Sequence, residues 1–272
     1  MIVITGMHRS GTSFTSKLLH GLDVNFGDHS TLALADRWNP KGYYENIDLQ
    51  ILHDKIVIGG AFPSEQFRAT PDEERGFFLK LIMSVGRVRY MFFSVKDVSR
   101  RAALYQTEMR RMADHFAHVA VKDPRFSFTI SEWAKRANIE KVLYCYRHPY
   151  EVALSLRKRH HFPTPIGVAL WAHHVDEFFK QADGLPITMI NYNNFFNEDT
   201  QLSEIKRLFS FLERPYDEAE ARRLLDSTLD NTLRRNTATN AQTVPPYAQK
   251  LYAMLHRYHQ KHDGLIVFRN SG

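Results

Sequence analysis

The chain has 272 residues, 43% of them hydrophobic, enough to bury one sizeable core, and Lys plus Arg exceed Asp plus Glu by 36 to 30. A net charge of +6 favours anionic partners, and the single Cys145 excludes an intramolecular disulfide and any cysteine-rich zinc site. No apolar run reaches the ~18 residues of a membrane-spanning helix, and the first residues read as a core strand with no basic leader before them, so a complete chain of this kind is expected to be soluble and cytoplasmic.

Ile2 to Thr5 is a short apolar run that leads into Gly6-Met7-His8-Arg9-Ser10-Gly11-Thr12-Ser13 and then into apolar-periodic residues from Phe14 to Leu22. A strand, a glycine loop and a helix in that order form a phosphate-cradling turn, because loop N–H groups and the helix N-terminus together attract an anion. A nucleotide-triphosphatase loop carries Lys before its closing Ser or Thr. Here Thr12 stands in that place and the cation, Arg9, lies inside the loop.

A polar stretch with Gly27, Asn39, Pro40 and Gly42 follows, and a helix is predicted over 48–58. Gly59, Gly60, Pro63 and Pro71 predict an exposed loop over 59–71. Pro71-Asp72-Glu73-Glu74 predicts a helix start, with the helix running to about Val88, and another helix is expected over 98–118. Strands are then predicted at 118–121, 141–146 and 188–192. Helices are predicted at 131–136, 150–159, 166–182, 201–212 and 217–225. Strands alternating with helices predict an α/β fold with a P-loop-like parallel sheet covered by helices on both faces, a three-layer sandwich. A single domain is expected over 1–272, with a helical insertion at about 48–118. Ligands on such sheets sit beyond the carboxyl ends of the strands, where every polar motif of this chain falls.

Four segments carry a resemblance. Met7-His8-Arg9-Ser10-Gly11-Thr12-Ser13 resembles the 5′-phosphosulfate loop of sulfotransferases that use 3′-phosphoadenosine-5′-phosphosulfate (PAPS). Trp38-Asn39-Pro40-Lys41-Gly42-Tyr43-Tyr44-Glu45 resembles the substrate-side segment of bacterial sulfotransferases. Val121-Lys122-Asp123-Pro124-Arg125 is similar to the end of the family's central strand, and Tyr146-Arg147-His148-Pro149-Tyr150-Glu151-Val152-Ala153-Leu154-Ser155 to its 3′-phosphate motif. The similarity runs from about residue 1 to 215. The resemblance implies PAPS as co-substrate, a hydroxyl- or amine-bearing acceptor such as a glycan or small metabolite, no metal and no nucleic acid.

The resemblance assigns the donor cradle to Arg9, Ser10, Gly11, Thr12 and Ser13, the 3′-phosphate to Arg147 and Ser155, and the neighbourhood of the adenine to Tyr192. Cytosolic aryl and steroid sulfotransferases place a catalytic His two residues after a Lys on the central strand, and here that position is Pro124. The chain looks closer to the branch with a Glu base, which includes tyrosylprotein and glycan sulfotransferases. Carried over, Glu45 is the base, Lys122 and Arg9 stabilise the transferring group, and His8 is the rival base. Asp123 and Arg125 are expected to orient Lys122, and Glu151 to pair with a neighbouring Arg. The acceptor side is expected within 23–118.

Two other functions share the loop. A nucleotide-dependent P-loop kinase is disfavoured by Thr12 in the lysine position, and a non-catalytic nucleotide-binding protein by the retention of Glu45 and Lys122. His256, His259 and His262 stand outside any metalloprotease-type pattern and are expected to be structural. Arg157-Lys158-Arg159-His160-His161 reads as a solvated helix end or a gate for an anionic acceptor. Arg234, Arg235 and Asn236 fall where the family often closes a basic loop over the nucleotide.

Overall fold

The computed structural model describes residues 1–33, 42–60, 62–70, 74–89, 95–229 and 244–269. The segment from Trp38 to Lys41 and the trio Arg234, Arg235 and Asn236 lie outside the described residues. In chain order the elements are β1 (Ile2–Thr5), α1 (Thr12–Gly21), α2 (Ile47–Val57), α3 (Ser64–Ala69), α4 (Phe77–Arg89), α5 (Val95–Leu104), α6 (Gln106–His115), β2 (Ala120–Lys122), α7 (Phe126–Ala134), β3 (Lys141–Tyr146), α8 (Pro149–His160), α9 (Thr164–Gln181), β4 (Pro186–Asn191), α10 (Gln201–Phe211), α11 (Glu218–Thr228), α12 (Pro246–Lys261) and β5 (Ile266–Val267).

The sheet order is β2-β1-β3-β4-β5. β1 pairs parallel with β2 on one side and β3 on the other, and β3 pairs parallel with β4. Successive strand residues face opposite sides, so the short β-branched runs feed two cores. Val3, Val121, Val142, Tyr144, Ile187 and Met189 pack in one core with residues of α2 to α9 and α12. Ile4, Ala120, Leu143, Cys145 and Ile190 pack in the other with α1, α10 and α11. Both faces are therefore covered, and each fully buried aliphatic side chain contributes about 1.5–3 kcal/mol. The parallel three-layer sheet expected from the sequence is present across β2, β1, β3 and β4. The fifth strand is a correction: β5 pairs antiparallel with β4, so the sheet is mixed.

Other departures have local causes. Residues 59–71, expected to be a loop, contain α3, which carries Phe67 into the core. Arg75 is tied to α3: its Nε donates to the carbonyls of Phe67 and Thr70 at 2.9 Å while its guanidinium lies 4.1 Å from the Phe67 ring. α4 starts at Phe77; Pro71, Asp72 and Glu73 of the expected helix start lie outside the described residues. The helix expected over 98–118 breaks at Tyr105, which lets Val98 and Ala102 on α5 and Met109 and Met112 on α6 reach one core. α12 buries only Ala248, Leu255 and His259, too sparse a pattern to announce a helix. Among the described residues no helix is long and apolar enough to cross a membrane.

Candidate active site

Because β2, β1, β3 and β4 lie side by side and parallel, their carboxyl ends bring Lys122, the 6–13 loop, Arg147 and Tyr192 to one edge of the sheet. The loop makes its turns through residues with positive φ. Gly6 (φ 137) passes so close to β3 that a Cβ there would stand 2.0 Å from the Cys145 carbonyl oxygen. Gly11 (φ 91) lies against Tyr192, whose ring would stand 2.2 Å from a Cβ. Between them Arg9 holds a left-handed φ of 71, strain of a kind concentrated at functional sites.

Gly11 caps α1 without any side-chain hydrogen bond, and the first turn holds no acid. An α-helix leaves its first N–H groups without intrahelical partners, so this N-terminus is open to an anion. Ser10 is fully buried and its hydroxyl has no hydrogen-bond partner. Arg9 reaches across to α8, where its Nε donates to Ser155 Oγ at 2.9 Å. Burial first, and then the neighbouring Arg159 and Arg147 charges, lower the Arg9 pKa to about 10. Cations crowd this edge of the molecule, an arrangement that suits a multiply charged anion.

Lys122 ends β2 and is buried. Its strand end is tied to β1 by Asp123 N–H donating to the Ile4 carbonyl and by Thr5 Oγ1 donating to the Asp123 carbonyl, at 3.2 and 3.0 Å. Lys122 Nζ donates to Ser13 Oγ at 3.1 Å and forms an ion pair with Glu45, so it bridges the phosphate loop and the carboxylate. Glu45 is 7% exposed and accepts a second hydrogen bond from Gln50 on α2. It sits directly before Asn46, whose side chain caps α2 by accepting from Leu49 N–H at 3.0 Å. The Ala33 N–H donates to the Glu45 carbonyl at 2.7 Å.

Behind Lys122 runs a buried ionic network. Arg125 donates to Asp54 on α2 at 2.7 Å and to Asp123 at 2.9 Å. His53 Nδ1 lies 3.1 Å from Asp123, and His53 Nε2 accepts from Trp133 at 2.7 Å. Burial alone would push the Asp123 carboxyl up, but Arg125 and His53 outweigh it and hold it well below the usual carboxylate range. The network ties α2, the end of β2 and α7 together. His8 is half-buried with its ring edge toward His174, centroids 6.0 Å apart. Burial, then Arg125 and His174, lower its pKa well below 6.5, so it is a neutral and weak base.

Directly after β3, Arg147 is buried and its Nε donates to Glu151 Oε2 at 2.8 Å, the pairing expected for Glu151. The Arg147 guanidinium lies 4.7 Å from the Tyr192 ring. Tyr192 opens a 3-10 turn after β4 instead of ending the strand, and Asn193 in that turn donates to the same Glu151 oxygen at 2.9 Å. One stripe of α8 thus meets the site three times: Glu151 on Arg147, Ser155 on Arg9, and Arg159, whose guanidinium donates to the Tyr43 hydroxyl at 2.9 Å. Leu154, Arg157, Lys158 and His161 face elsewhere and line an open groove of about 360 Å³.

Among the described residues, His8 to Ser13, Glu45, Lys122, Arg147, Ser155 and Tyr192 come together at this edge, while Arg234, Arg235 and Asn236 lie outside the described residues. Sequence reading missed Gln50, Asn193 and the Arg159–Tyr43 contact; the i, i+4, i+8 spacing of Glu151, Ser155 and Arg159 was the signal that pointed to the last. The histidine trio is split: His259 Nε2 meets the buried Glu204 carboxylate at 2.9 Å, and His256 packs edge-on against Tyr252. Among the described residues no group of acids, histidines and cysteine is arranged to hold a metal ion.

A glycine loop closing on an uncapped helix, with cations from the neighbouring strands, defines an α/β protein built to grip an anionic group at its phosphate loop. The sulfotransferase domain family matches residues 1–257, and the chain belongs to that family: the protein is a sulfotransferase. Among solved structures it is similar to the sulfotransferase STF9 from Mycobacterium avium, with 16% identity over 98% of this chain and 78% of that one and a TM-score of 0.45. It is also similar to the sulfotransferase domain of the olefin synthase from Synechococcus PCC 7002, with 16% identity over 96% of this chain and 94% of that one and a TM-score of 0.43. No curated protein matches the chain.

Proposed function

We propose that the protein transfers a sulfuryl group from PAPS to a hydroxyl or amine acceptor, with Glu45 as base. The observation that carries this reading is the Lys122 bridge, which joins the phosphate loop at Ser13 to the buried carboxylate of Glu45. The residues present fit the donor: the Ser10 hydroxyl is an orphaned buried polar atom, α1 is uncapped, and Arg9 and Arg147 supply cations. When bound, PAPS supplies a sulfuryl group activated by its 5′-phosphate.

Loop N–H groups at Gly11, Thr12 and Ser13, with the hydroxyls of Ser10, Thr12 and Ser13, hold the phosphosulfate end. Arg147 and Ser155 hold the 3′-phosphate, and Tyr192 bounds the base side. Glu45 removes the acceptor proton, and Gln50 and Lys122 fix the orientation of its carboxylate. Lys122 and Arg9 stabilise charge on the leaving oxygen and the transferring group, the part that metal ions and an arginine finger take in phosphoryl transfer. The weak basicity of His8 supports Glu45 over it. Residues 48–118 form a helical insertion on the acceptor side of a single domain, and the reaction takes place in the cytoplasm, a reducing compartment compatible with the free thiol of Cys145.

Calorimetry tests the reading. Adenosine 3′,5′-bisphosphate is expected to bind more tightly than ADP and independently of magnesium, and Arg147→Ala to lose that preference. Magnesium-dependent preference for ADP would overturn the donor assignment.

A further inference from the structure

Gln50 stands near the start of α2 and is 2% exposed. Its amide Nε2 donates to Glu45 Oε2, while Lys122 Nζ donates to Glu45 Oε1. A carboxylate only accepts hydrogen bonds, so the amide nitrogen is the atom turned to Glu45 and the amide oxygen the atom turned away. That oxygen, Gln50 Oε1, is buried and has no hydrogen-bond partner among the described residues. It is the only side-chain amide oxygen among them left so.

Buried polar groups are almost always paired, and an acceptor stranded away from water opposes folding. An N–H for Glu45 alone could come from a side chain that carries no acceptor, whereas the amide brings an oxygen with it. The place of that oxygen says what it serves. Oε1 shares a carbon with the Nε2 that touches Glu45, so it stands beside the carboxylate. A hydroxyl seated on Glu45 brings the group on its neighbouring carbon to this oxygen. The surrounding charge says what that group is. Tyr43, two residues before Glu45, has Lys122 Nζ 5.9 Å and the Arg159 guanidinium 5.7 Å from its ring. Cations this close repel an ammonium donor, and a neutral hydroxyl escapes that repulsion.

We infer that Gln50 is a specificity-determining residue and that the acceptor is a vicinal diol, with one hydroxyl on Glu45 and the hydroxyl of the adjacent carbon donating to Gln50 Oε1. The first hydroxyl gives its proton to Glu45 as its oxygen bonds to sulfur. The bond from sulfur to the donor's phosphate oxygen breaks, and its electron pair leaves with that oxygen. The second hydroxyl keeps its proton and is unchanged. This inference deepens the sulfuryl-transfer reading and rests on Glu45 as its base.

The experiment compares each of two diols with its own methyl ether, which keeps the second oxygen and loses its proton. Cyclohexane-1,2-diol against 2-methoxycyclohexanol stands for a sugar-like ring, and catechol against 2-methoxyphenol for an aromatic one. Binding is measured by calorimetry on the protein loaded with adenosine 3′,5′-bisphosphate, and transfer with radiolabelled PAPS. The diol of at least one pair is expected to bind and to accept the sulfuryl group about tenfold better or more than its ether. Gln50→Met is expected to bring that ratio close to one, a change that a merely structural role for Gln50 would not produce. Equal values for diol and ether in the wild type, or an unchanged ratio in Gln50→Met, overturn the inference. Should Gln50→Met not fold, the wild-type ratio alone decides. Binding and transfer with no member of either pair, while bisphosphate still binds, overturn the diol assignment and leave the donor reading standing. Failure of the wild type to bind bisphosphate removes the donor reading and this inference with it.

Discussion

At the scale of single residues, the proposal of Glu45 rather than His8 as base rests on their surroundings. Glu45 is oriented by two donors, one of them the Lys122 ammonium, whereas His8 faces Arg125 and Lys122 and resists protonation. Glu45→Gln is therefore expected to lower turnover by about 10²–10⁴ while leaving bisphosphate affinity within a factor of two or so. His8→Gln should keep at least about a tenth of the activity; the reverse ranking in a steady-state assay would reassign the base. Gly11→Ala places a Cβ against the Tyr192 ring in a left-handed conformation that alone costs about 1–2 kcal/mol. Calorimetry on that variant is expected to show lost bisphosphate binding with a lowered thermal midpoint. Burial pushes the Cys145 thiol up to about 12, so iodoacetamide at mildly alkaline pH should leave it unmodified in the folded protein and alkylate it in urea.

At the scale of elements, the parts legible in the sequence are those whose cause is local. Lys141 to Tyr146 was found to the residue because the five-residue apolar run Val142 to Tyr146, bounded by Lys141 and Arg147, is too short for a helix. Pro149 at the start of α8 and Asp217 capping α11 marked helix starts in the same way. The glycine loop, Lys122, Arg147 and Glu45 were legible because each follows such a run or sits in a distinctive motif. What stayed hidden depends on partners far along the chain. α12 is held by His259 on Glu204, 55 residues away, and the same carboxylate accepts from Asn191 N–H and Asn194 Nδ2 at 2.6 and 2.7 Å. Glu204 thus pins the turn that presents Tyr192, which no periodicity reveals. Glu204→Leu strands three donors in a buried place and is expected to cost about 3–5 kcal/mol in chemical denaturation. A loss under about 1 kcal/mol would show that the turn holds without it.

At the scale of the whole molecule, titration is dominated by buried imidazoles. Burial lowers the pKa of His8, His148, His173 and His256, and takes His174 down to about 3. Unfolding returns each toward 6.5, so the unfolded chain binds more protons in acid. The stability these groups contribute is complete above about 6.5 and falls as pH drops toward about 3. Asp54 and Asp123, whose carboxyls are lowered in the fold, add loss of the same sign below the usual carboxylate range. The thermal midpoint is expected to decline steadily from pH 7 to pH 4, and a flat profile across that interval would contradict the neutral state assigned to these rings.

The stripe on α8 makes that helix a calliper. Glu151 and Arg159 are eight residues apart, so the jaws that meet Arg147 at one end and Tyr43 at the other are set about 12 Å apart. No hinge lies between them. One residue inserted after Ser155 would swing Arg159 by about 100° off Tyr43 while Ser155 kept its place on Arg9. The separation of the Arg147 and Tyr43 contacts is therefore written in the rise of a single helix, and loop changes elsewhere leave that gauge fixed.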